Sequence, residues 1–292
     1  MPVFHPADRA GPTVPVAPVL SMYDPVFLGI DEFGHPVYCS LVYRNLLAGG
    51  EPGAGKSGLL NTICAHAALS LDTRLCLLDG KRVELGLWRD VADVFVGPDL
   101  DHAIATLRRL QTVLDNRLGY LDARKRRKVV RGDQLSVIVL IVDEIAYFSA
   151  TVGTRAAQEE FSALLRDLVA RGRAAGLVVI AATQRPSVDI IPTSLRDIFG
   201  YRCAFRCTTY VSSDIVLGHG WAEQGYSAHT IAATDNSRGI GWLLAEGAIP
   251  VKMRAAYLTD DQIGYLVGHA ARIRHHLRLP ELRHPGDLVA AA

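Results

Sequence analysis

The residues whose types and spacing point most directly to chemistry lie at positions 50–57. This segment reads GEPGAGKS and fits the pattern G-x-x-x-x-G-K-[ST]. Glycines at these spacings let backbone N–H groups turn toward a polyphosphate, a lysine adds positive charge, and a serine hydroxyl can hold Mg²⁺. We therefore expect Lys56 at the β- and γ-phosphates of ATP and Ser57 at Mg²⁺, with a chance glycine turn as the alternative. The candidate nucleotide-binding residues are Gly50, Glu51, Pro52, Gly53, Ala54, Gly55, Lys56, Ser57 and Gly58.

A second candidate site follows the apolar run VIVLIV at residues 137–142, which is typical of a buried strand. Asp143 and Glu144 come directly after it. Adjacent carboxylates at a strand end can hold a metal through water and activate a hydrolytic water. Taken alone, such a pair is more often a solvated strand end. Together with residues 50–57 it indicates that Asp143 serves Mg²⁺ and that Glu144 is catalytic.

Polar residues also flank the apolar run at residues 177–182. Gln184 follows the run, where open α/β sheets place ligands, so we expect Gln184 to sense the γ-phosphate. A hydrogen-bonded strand end is the alternative for Gln184. Arg171 and Arg173 precede the run, and one of them could reach the nucleotide of a neighbouring subunit. A surface arginine is the commoner finding.

The elements that must position these residues are strands alternating with helices, which predicts an α/β fold with a mainly parallel sheet. An N-terminal hairpin is expected at residues 26–41, and a closing helix at 258–276. The expected later strands are 45–48, 74–78, 91–96, 137–142, 177–182, 201–207, 239–244 and 250–255, and the other expected helices are 58–71, 100–121 and 155–171.

The domain prediction has three parts. Residues 1–22 hold five prolines and little periodicity, which predicts a disordered arm. Residues 23–276 are predicted to form one motor domain, and residues 277–292 a flexible tail.

Composition limits where a nucleic-acid surface could lie. The formal charge of +1 excludes a whole-chain positive field, so such a surface would have to be a local patch such as the basic run at residues 124–128 with Arg131. A solvated helix end is the alternative. The apolar runs are too short to span a membrane, and Asp8 and Arg9 interrupt any signal peptide, which favours the cytoplasm.

Several segments together resemble the FtsK/SpoIIIE DNA translocases, which are HerA-type RecA-like motors. The resemblance extends over roughly residues 25–270, nearly all of the expected folded part. The segments that carry it are GEPGAGKS at 50–57, LDGK with EL at 78–85, VDE at 142–144, RAAG at 173–176 and ATQRPSVD at 182–189.

The resemblance implies a RecA-like P-loop NTPase that forms a hexameric ring around double-stranded DNA, with ATP and Mg²⁺ at the subunit interfaces. It implies Arg173 as an arginine finger acting in trans and Arg185 as a contact to the DNA backbone. The segment at residues 217–225 is most similar in character to plasmid-transfer translocases of actinobacterial mobile elements. Plasmid transfer and chromosome segregation both remain open, as does a separate membrane anchor.

Two departures from the family pattern stand out. Gly80 replaces the proline of the pattern Asp-Pro-Lys, and residues 208–214 lack the lysine and arginine that many relatives carry in a pore-facing loop. Two other function classes also remain. One is an FtsK-like ATPase that energises protein export of the type VII kind, and the other is a nucleotide-gated scaffold without catalysis.

Overall fold

The computed structural model describes residues 20–276, in which one mixed sheet of ten strands runs in the order β2-β1-β10-β9-β8-β3-β7-β6-β4-β5. Strands β3 to β8 pair in parallel, whereas β1, β2, β9 and β10 form an antiparallel extension at one edge. The strands are β1 Val26–Asp31, β2 Pro36–Cys39, β3 Leu46–Gly49, β4 Thr73–Leu78, β5 Val94–Val96, β6 Val137–Val142, β7 Leu177–Thr183, β8 Tyr201–Phe205, β9 Ile240–Ala245 and β10 Val251–Ala255.

Helices cover both faces of the sheet because its central strands are apolar on both sides. In β6, alternate residues enter two different cores: Val139 packs with α1 and α6, and Leu140 packs with α2 and α3. The expected α/β class with a mainly parallel sheet, an N-terminal hairpin and a C-terminal antiparallel extension is confirmed. The helices are α1 Lys56–Leu69, α2 Leu100–Ala123, α3 Arg155–Arg171, α4 Thr193–Arg196, α5 Tyr210–Leu217 and α6 Asp260–His276.

Local structure differs from the expectation in two places. The strand expected at residues 91–96 is only Val94–Val96, because the 3-10 helix Gly86–Val91 uses the preceding residues and buries Trp88. The loop expected at residues 208–214 is instead the start of α5. Its N-cap residue is Thr209, whose Oγ1 accepts a hydrogen bond from the backbone N–H of Ser212.

The ordered chain begins before residue 23. Met22 is fully buried, and its N–H donates to Asp72 Oδ1 at 3.0 Å. The hydroxyl of Ser21 donates to the other oxygen of Asp72 at 2.5 Å, which fixes the same segment. The last residues of the arm expected at 1–22 therefore belong to the fold. Residues 1–19 of that arm and the tail expected at 277–292 lie outside the described residues.

A buried asparagine joins three elements at the amino end of the sheet. Asn45 Nδ2 donates to Val169 O of α3, and Asn45 Oδ1 accepts from Val179 N of β7, each at 2.8 Å. Because both backbone groups are buried, neither has water as a substitute partner.

We expect Asn45→Ala to lower the free energy of unfolding by about 2–4 kcal/mol, since it leaves two buried backbone groups unpaired. Urea denaturation measures the change. The matched control Asn116→Ala, on the exposed side of α2, should change stability by less than about 0.5 kcal/mol. Equal effects of the two substitutions would show that the Asn45 bridge contributes nothing.

Candidate active site

The candidate site lies where four neighbouring parallel strands end at the same edge of the sheet. Register aligns Gly49 of β3 with Thr183 of β7, and Val142 of β6 with Leu78 of β4. The chain leaves these strands into the glycine-rich loop, Gln184, Asp143 and Asp79 respectively. Parallel pairing thus brings together the segments on which the sequence prediction placed ATP and Mg²⁺.

The glycine-rich loop has a shape that only glycine permits at its end. Gly55 has φ 125°, and a Cβ at this position would lie 2.5 Å from Gly239 Cα at the start of β9. The N–H of Gly239 donates to Ala54 O at 3.0 Å, so the antiparallel extension supports the loop from outside. Helix α1 starts directly after it at Lys56, which directs the positive end of a helix dipole into the loop.

Lys56 is buried and folded back onto the loop. Its Nζ donates to Gly50 O at 2.6 Å and to Glu51 O at 2.8 Å. Burial lowers the pKa of Lys56 to about 8, although the carboxylates of Glu144 and Asp143 act in the opposite direction. A phosphate that reached Lys56 would supply the negative charge that its backbone carbonyl partners lack.

The residues expected to hold Mg²⁺ fit a hard cation. Asp143 is buried, and its Oδ2 has no hydrogen-bond partner among the described residues, so this carboxylate oxygen could bind a cation. Burial, together with the neighbouring charges of Glu84 and Asp79, raises the pKa of Asp143 to about 7. The hydroxyl of Ser57 donates to Glu84 Oε2 at 2.6 Å, and the same Glu84 acts electrostatically on Asp143.

Glu144 is held by three hydrogen bonds. Its Oε1 accepts from Thr183 Oγ1 at 2.7 Å and from the N–H of Ala146 at 3.1 Å, and its Oε2 accepts from the N–H of Gln184 at 2.7 Å. The Glu144 carboxylate is therefore fixed in orientation next to Asp143. Gln184 contacts it through the backbone, while the Gln184 side chain is half-buried at the same edge.

The two candidate arginine fingers lie at the opposite edge of the sheet. Arg171 is paired within the chain with Asp167 and, at 2.7 Å, with Asp115. Arg173 Nε donates to Tyr43 O at 2.7 Å, and its guanidinium also contacts Glu246 at 3.0 Å. Since β7 separates Arg173 from the glycine-rich loop by roughly 20 Å, Arg173 does not reach the loop of its own chain.

The basic side chains that are candidates for DNA contact differ in whether acidic residues pair with them. Arg185 is exposed, and within residues 20–276 its one ion pair is with Asp189 at 3.5 Å. In the basic run, Arg126 pairs with Asp133 at 2.7 Å and Arg131 with Asp24 at 2.9 Å. Two of the six basic side chains of the run are thus compensated locally, whereas Arg124, Lys125, Arg127 and Lys128 are exposed and form no ion pair within residues 20–276. The ion pairs therefore do not decide between a solvated helix end and a DNA surface.

The sequence prediction gave no role to Glu84, Asp79 or Thr183, although all three face this site. Asp79 was visible as a polar residue at the end of β4, the same signal that identified Asp143. Thr183 is the last residue of β7, but the sequence prediction assigned a role to the following residue, Gln184. Glu84 lies within a loop, where no periodic pattern could show its direction.

Comparison with known proteins shows to which family the chain belongs. Residues 21–136 match the model of the FtsK/SpoIIIE family. Over 218 residues the chain is 31% identical to the DNA translocase FtsK of Borreliella burgdorferi, covering 68% of this chain and 27% of that protein. It is 28% identical over 264 residues to the FtsK of Treponema pallidum, covering 84% of this chain and 31% of that protein. The chain thus spans less than a third of the length of either relative.

Solved structures share the fold. The pCW3 conjugation coupling protein TcpA, in its monomer form with ATPγS, superposes with a TM-score of 0.72 at 22% identity, covering 86% of this chain and 71% of TcpA. ATPases 2 and 3 of EssC from Geobacillus thermodenitrificans superpose with a TM-score of 0.71 at 13% identity, covering 89% of this chain and 51% of that one. At these identities the likeness establishes a P-loop ATPase-like fold. Within residues 20–276, no helix is long and apolar enough to cross a membrane.

Because the pKa of Asp143 is raised, ionising its buried carboxylate lowers the free energy of unfolding, and this loss depends on pH. The pKa is higher in the folded than in the unfolded chain, so stability is lost as pH rises from about 4 to about 7. Asp143→Asn removes this loss and should stabilise the protein by an amount on the order of 2–4 kcal/mol at pH 8.

Urea denaturation of the wild type and Asp143→Asn between pH 4 and pH 8 measures this difference. The gain should shrink toward pH 4. Asp122→Asn, at an exposed aspartate of α2, provides the control and should change the free energy of unfolding by less than about 0.5 kcal/mol. A pH-independent gain for Asp143→Asn would contradict a buried carboxylate with a raised pKa.

Proposed function

This chain carries a domain of the FtsK/SpoIIIE family and is an ATPase, and from that premise we propose that it translocates double-stranded DNA. The proposed working form is a homo-oligomeric ring, with a hexamer as the expected size. The observation that carries the proposal is the separation of Arg173 from its own nucleotide loop by the length of β7. A site built in this way is completed when another copy supplies the arginine.

In the proposed reaction, water attacks the γ-phosphorus of ATP and ADP leaves. Glu144 orients this water and accepts its proton, and Lys56 binds the β- and γ-phosphates. Ser57 and Asp143 would hold Mg²⁺, which when bound neutralises phosphate charge. Gln184 is placed to sense the γ-phosphate, because its backbone is joined to Glu144 by a hydrogen bond of 2.7 Å.

Arg173 supplies the proposed inter-subunit step. Its guanidinium is partly exposed, and its partner Glu246 is exposed as well, so a neighbouring phosphate can replace this ion pair at small cost. An arginine finger acting in trans stabilises transition-state charge and contributes about 10³–10⁵ in rate. Hydrolysis would then depend on contact between subunits.

The proposed DNA contact is Arg185, whose exposed side chain follows the same strand that carries Thr183. Hydrolysis at Glu144 and movement of Arg185 can be coupled through this short connection, since the N–H of Arg185 donates to Thr183 Oγ1 at 3.1 Å. At residues 208–214 the surface offers Tyr210 and Val211 in place of basic side chains. We expect residues 208–214 to bind the DNA backbone more weakly than the loop of relatives that carry lysine and arginine there.

We place the protein in the cytoplasm and assign it to plasmid or mobile-element transfer or to chromosome segregation, with a separate membrane protein as a possible anchor. Protein export is the competing function. EssC shares the fold at 13% identity, and this likeness does not separate a DNA substrate from a protein one.

We expect long duplex DNA to stimulate ATP turnover, and the protein to displace a triplex strand from that duplex while ATP lasts. Lys56→Ala should reduce turnover to background with and without DNA, since the phosphates lose their buried cation. Circular dichroism checks that the variant is folded. Stimulation by the C-terminal signal of a secreted protein, with no response to DNA, would support export and contradict translocation.

Mixing variants tests the inter-subunit site. Arg173→Ala and Glu144→Gln should each bind ATP and fail to turn it over, the first for lack of a finger and the second for lack of a base. A mixture should recover part of the activity, because an intact site on an Arg173→Ala subunit meets an intact finger on a Glu144→Gln subunit. ATPase rate against mixing ratio is the measurement.

The control variant is Arg155→Ala, which removes an exposed arginine that pairs with Glu159 one helical turn away. It should keep wild-type turnover. Mixtures that stay inactive at every ratio, although both variants assemble with wild type, would contradict a finger supplied in trans.

A further inference from the structure

The hydroxyl of Ser57 has an acidic partner that the sequence prediction did not assign. Ser57 Oγ donates to Glu84 Oε2 at 2.6 Å. A hydroxyl has one proton and two lone pairs, so once the proton points at Glu84 the lone pairs face away from it. We propose that Glu84 is a positioning residue of the Mg²⁺ site, which orients the Ser57 lone pairs toward the cation. The proposal rests on the nucleotide site of the proposed function and extends it.

The loop that carries Glu84 is built to direct this one side chain inward. The Asp79 carboxylate, fully buried, accepts backbone hydrogen bonds from Lys81, Arg82 and Leu85 at 2.8–2.9 Å. Residues 81–83 are exposed, whereas Glu84 is half-buried and Leu85 is buried. The turn around Asp79 therefore holds Glu84 against α1.

The replacement of proline by glycine at position 80 belongs to the same turn. A Cβ at Gly80 would lie 2.5 Å from Cδ1 of Tyr147, whose ring packs directly over the loop. Tyr147 follows Glu144 after a single helical turn. The loop of Glu84 is thus held by the Asp79 carboxylate on its inner side and by the Tyr147 ring on its outer side. These contacts restrict the positions that the Glu84 carboxylate can reach.

A second observation points to a cation in this pocket. Asp143 is 3% exposed, and within residues 20–276 its Oδ2 has no hydrogen-bond partner, although the charges of Glu84 and Lys81 act on this carboxylate. In the described part of the chain, no three His, Cys, Asp or Glu side chains are placed to bind a metal by themselves. The cation must therefore take further ligands from phosphates and water, and Glu84 acts through Ser57 and outer-shell water.

This role predicts a specific pattern of binding defects. Glu84→Ala removes the acceptor of the Ser57 proton, and outer-shell partners of this kind are worth about 10–100-fold in metal affinity. Glu84→Gln keeps an acceptor oxygen and should have a smaller defect. Neither change should alter nucleotide affinity in excess EDTA, because Lys56 and the backbone of the loop bind the phosphates without the metal.

The test titrates a fluorescent ADP analogue into the full-length chain, first in EDTA and then at rising Mg²⁺ concentration. Glu84→Ala should need about 10–100-fold more Mg²⁺ than wild type for half of the fluorescence change, with the EDTA affinity unchanged. Glu32→Gln, in the exposed turn between β1 and β2, is the control and should match wild type. Unfolding temperatures confirm that each variant is folded.

A double-mutant cycle separates positioning from a general electrostatic effect. If Glu84 acts through Ser57, adding Ser57→Ala to Glu84→Ala should increase the required Mg²⁺ little beyond the larger single defect. Fully multiplicative defects, or an equal loss of affinity in EDTA, would overturn the proposal. The measured quantity is ADP binding, which does not require DNA. If DNA failed to stimulate the ATPase, translocation would be refuted, but the measured role of Glu84 at the Mg²⁺ site would be unaffected.

Discussion

The interaction on which the rest of the structure depends is the parallel pairing of β7 with its neighbours β3 and β6. Because parallel strands end at a common edge, this pairing brings the glycine-rich loop, Thr183 and Asp143 to one place from distant parts of the chain. The same geometry places Arg173, four residues before the start of β7, at the far edge. One pairing pattern thus brings most of the candidate ATP site together and keeps Arg173 away from it.

The parts of the site predicted from sequence are those fixed by local rules. The glycine-rich loop has a spacing that its phosphate chemistry requires, and Asp143 and Glu144 follow a strand that its apolar run identifies. What the sequence could not show depends on long-range contacts. Glu84 is directed inward by hydrogen bonds to Asp79, and Arg173 is held by a carbonyl oxygen 130 residues away along the chain.

Two local errors have the same kind of cause. The start of α5 was interpreted as a pore-facing loop through the family resemblance, although the spacing Thr209-x-x-Ser212 is itself a helix-capping signal. The shortened strand β5 lost its first residues to a 3-10 helix that buries Trp88, whose indole N–H donates to Asn61 of α1. In both places a side-chain contact overrode the interpretation based on hydrophobic pattern or resemblance.

The central claim is that the ATP site is completed by a neighbouring copy of the chain. Electron cryomicroscopy of the protein with ATPγS and duplex DNA tests it most directly. The account predicts a closed ring in which the guanidinium of Arg173 of one protomer lies within hydrogen-bonding distance of the γ-phosphate bound by Lys56 of the next. An ATP site closed entirely by residues of one chain, with Arg173 still paired to Glu246, would contradict it.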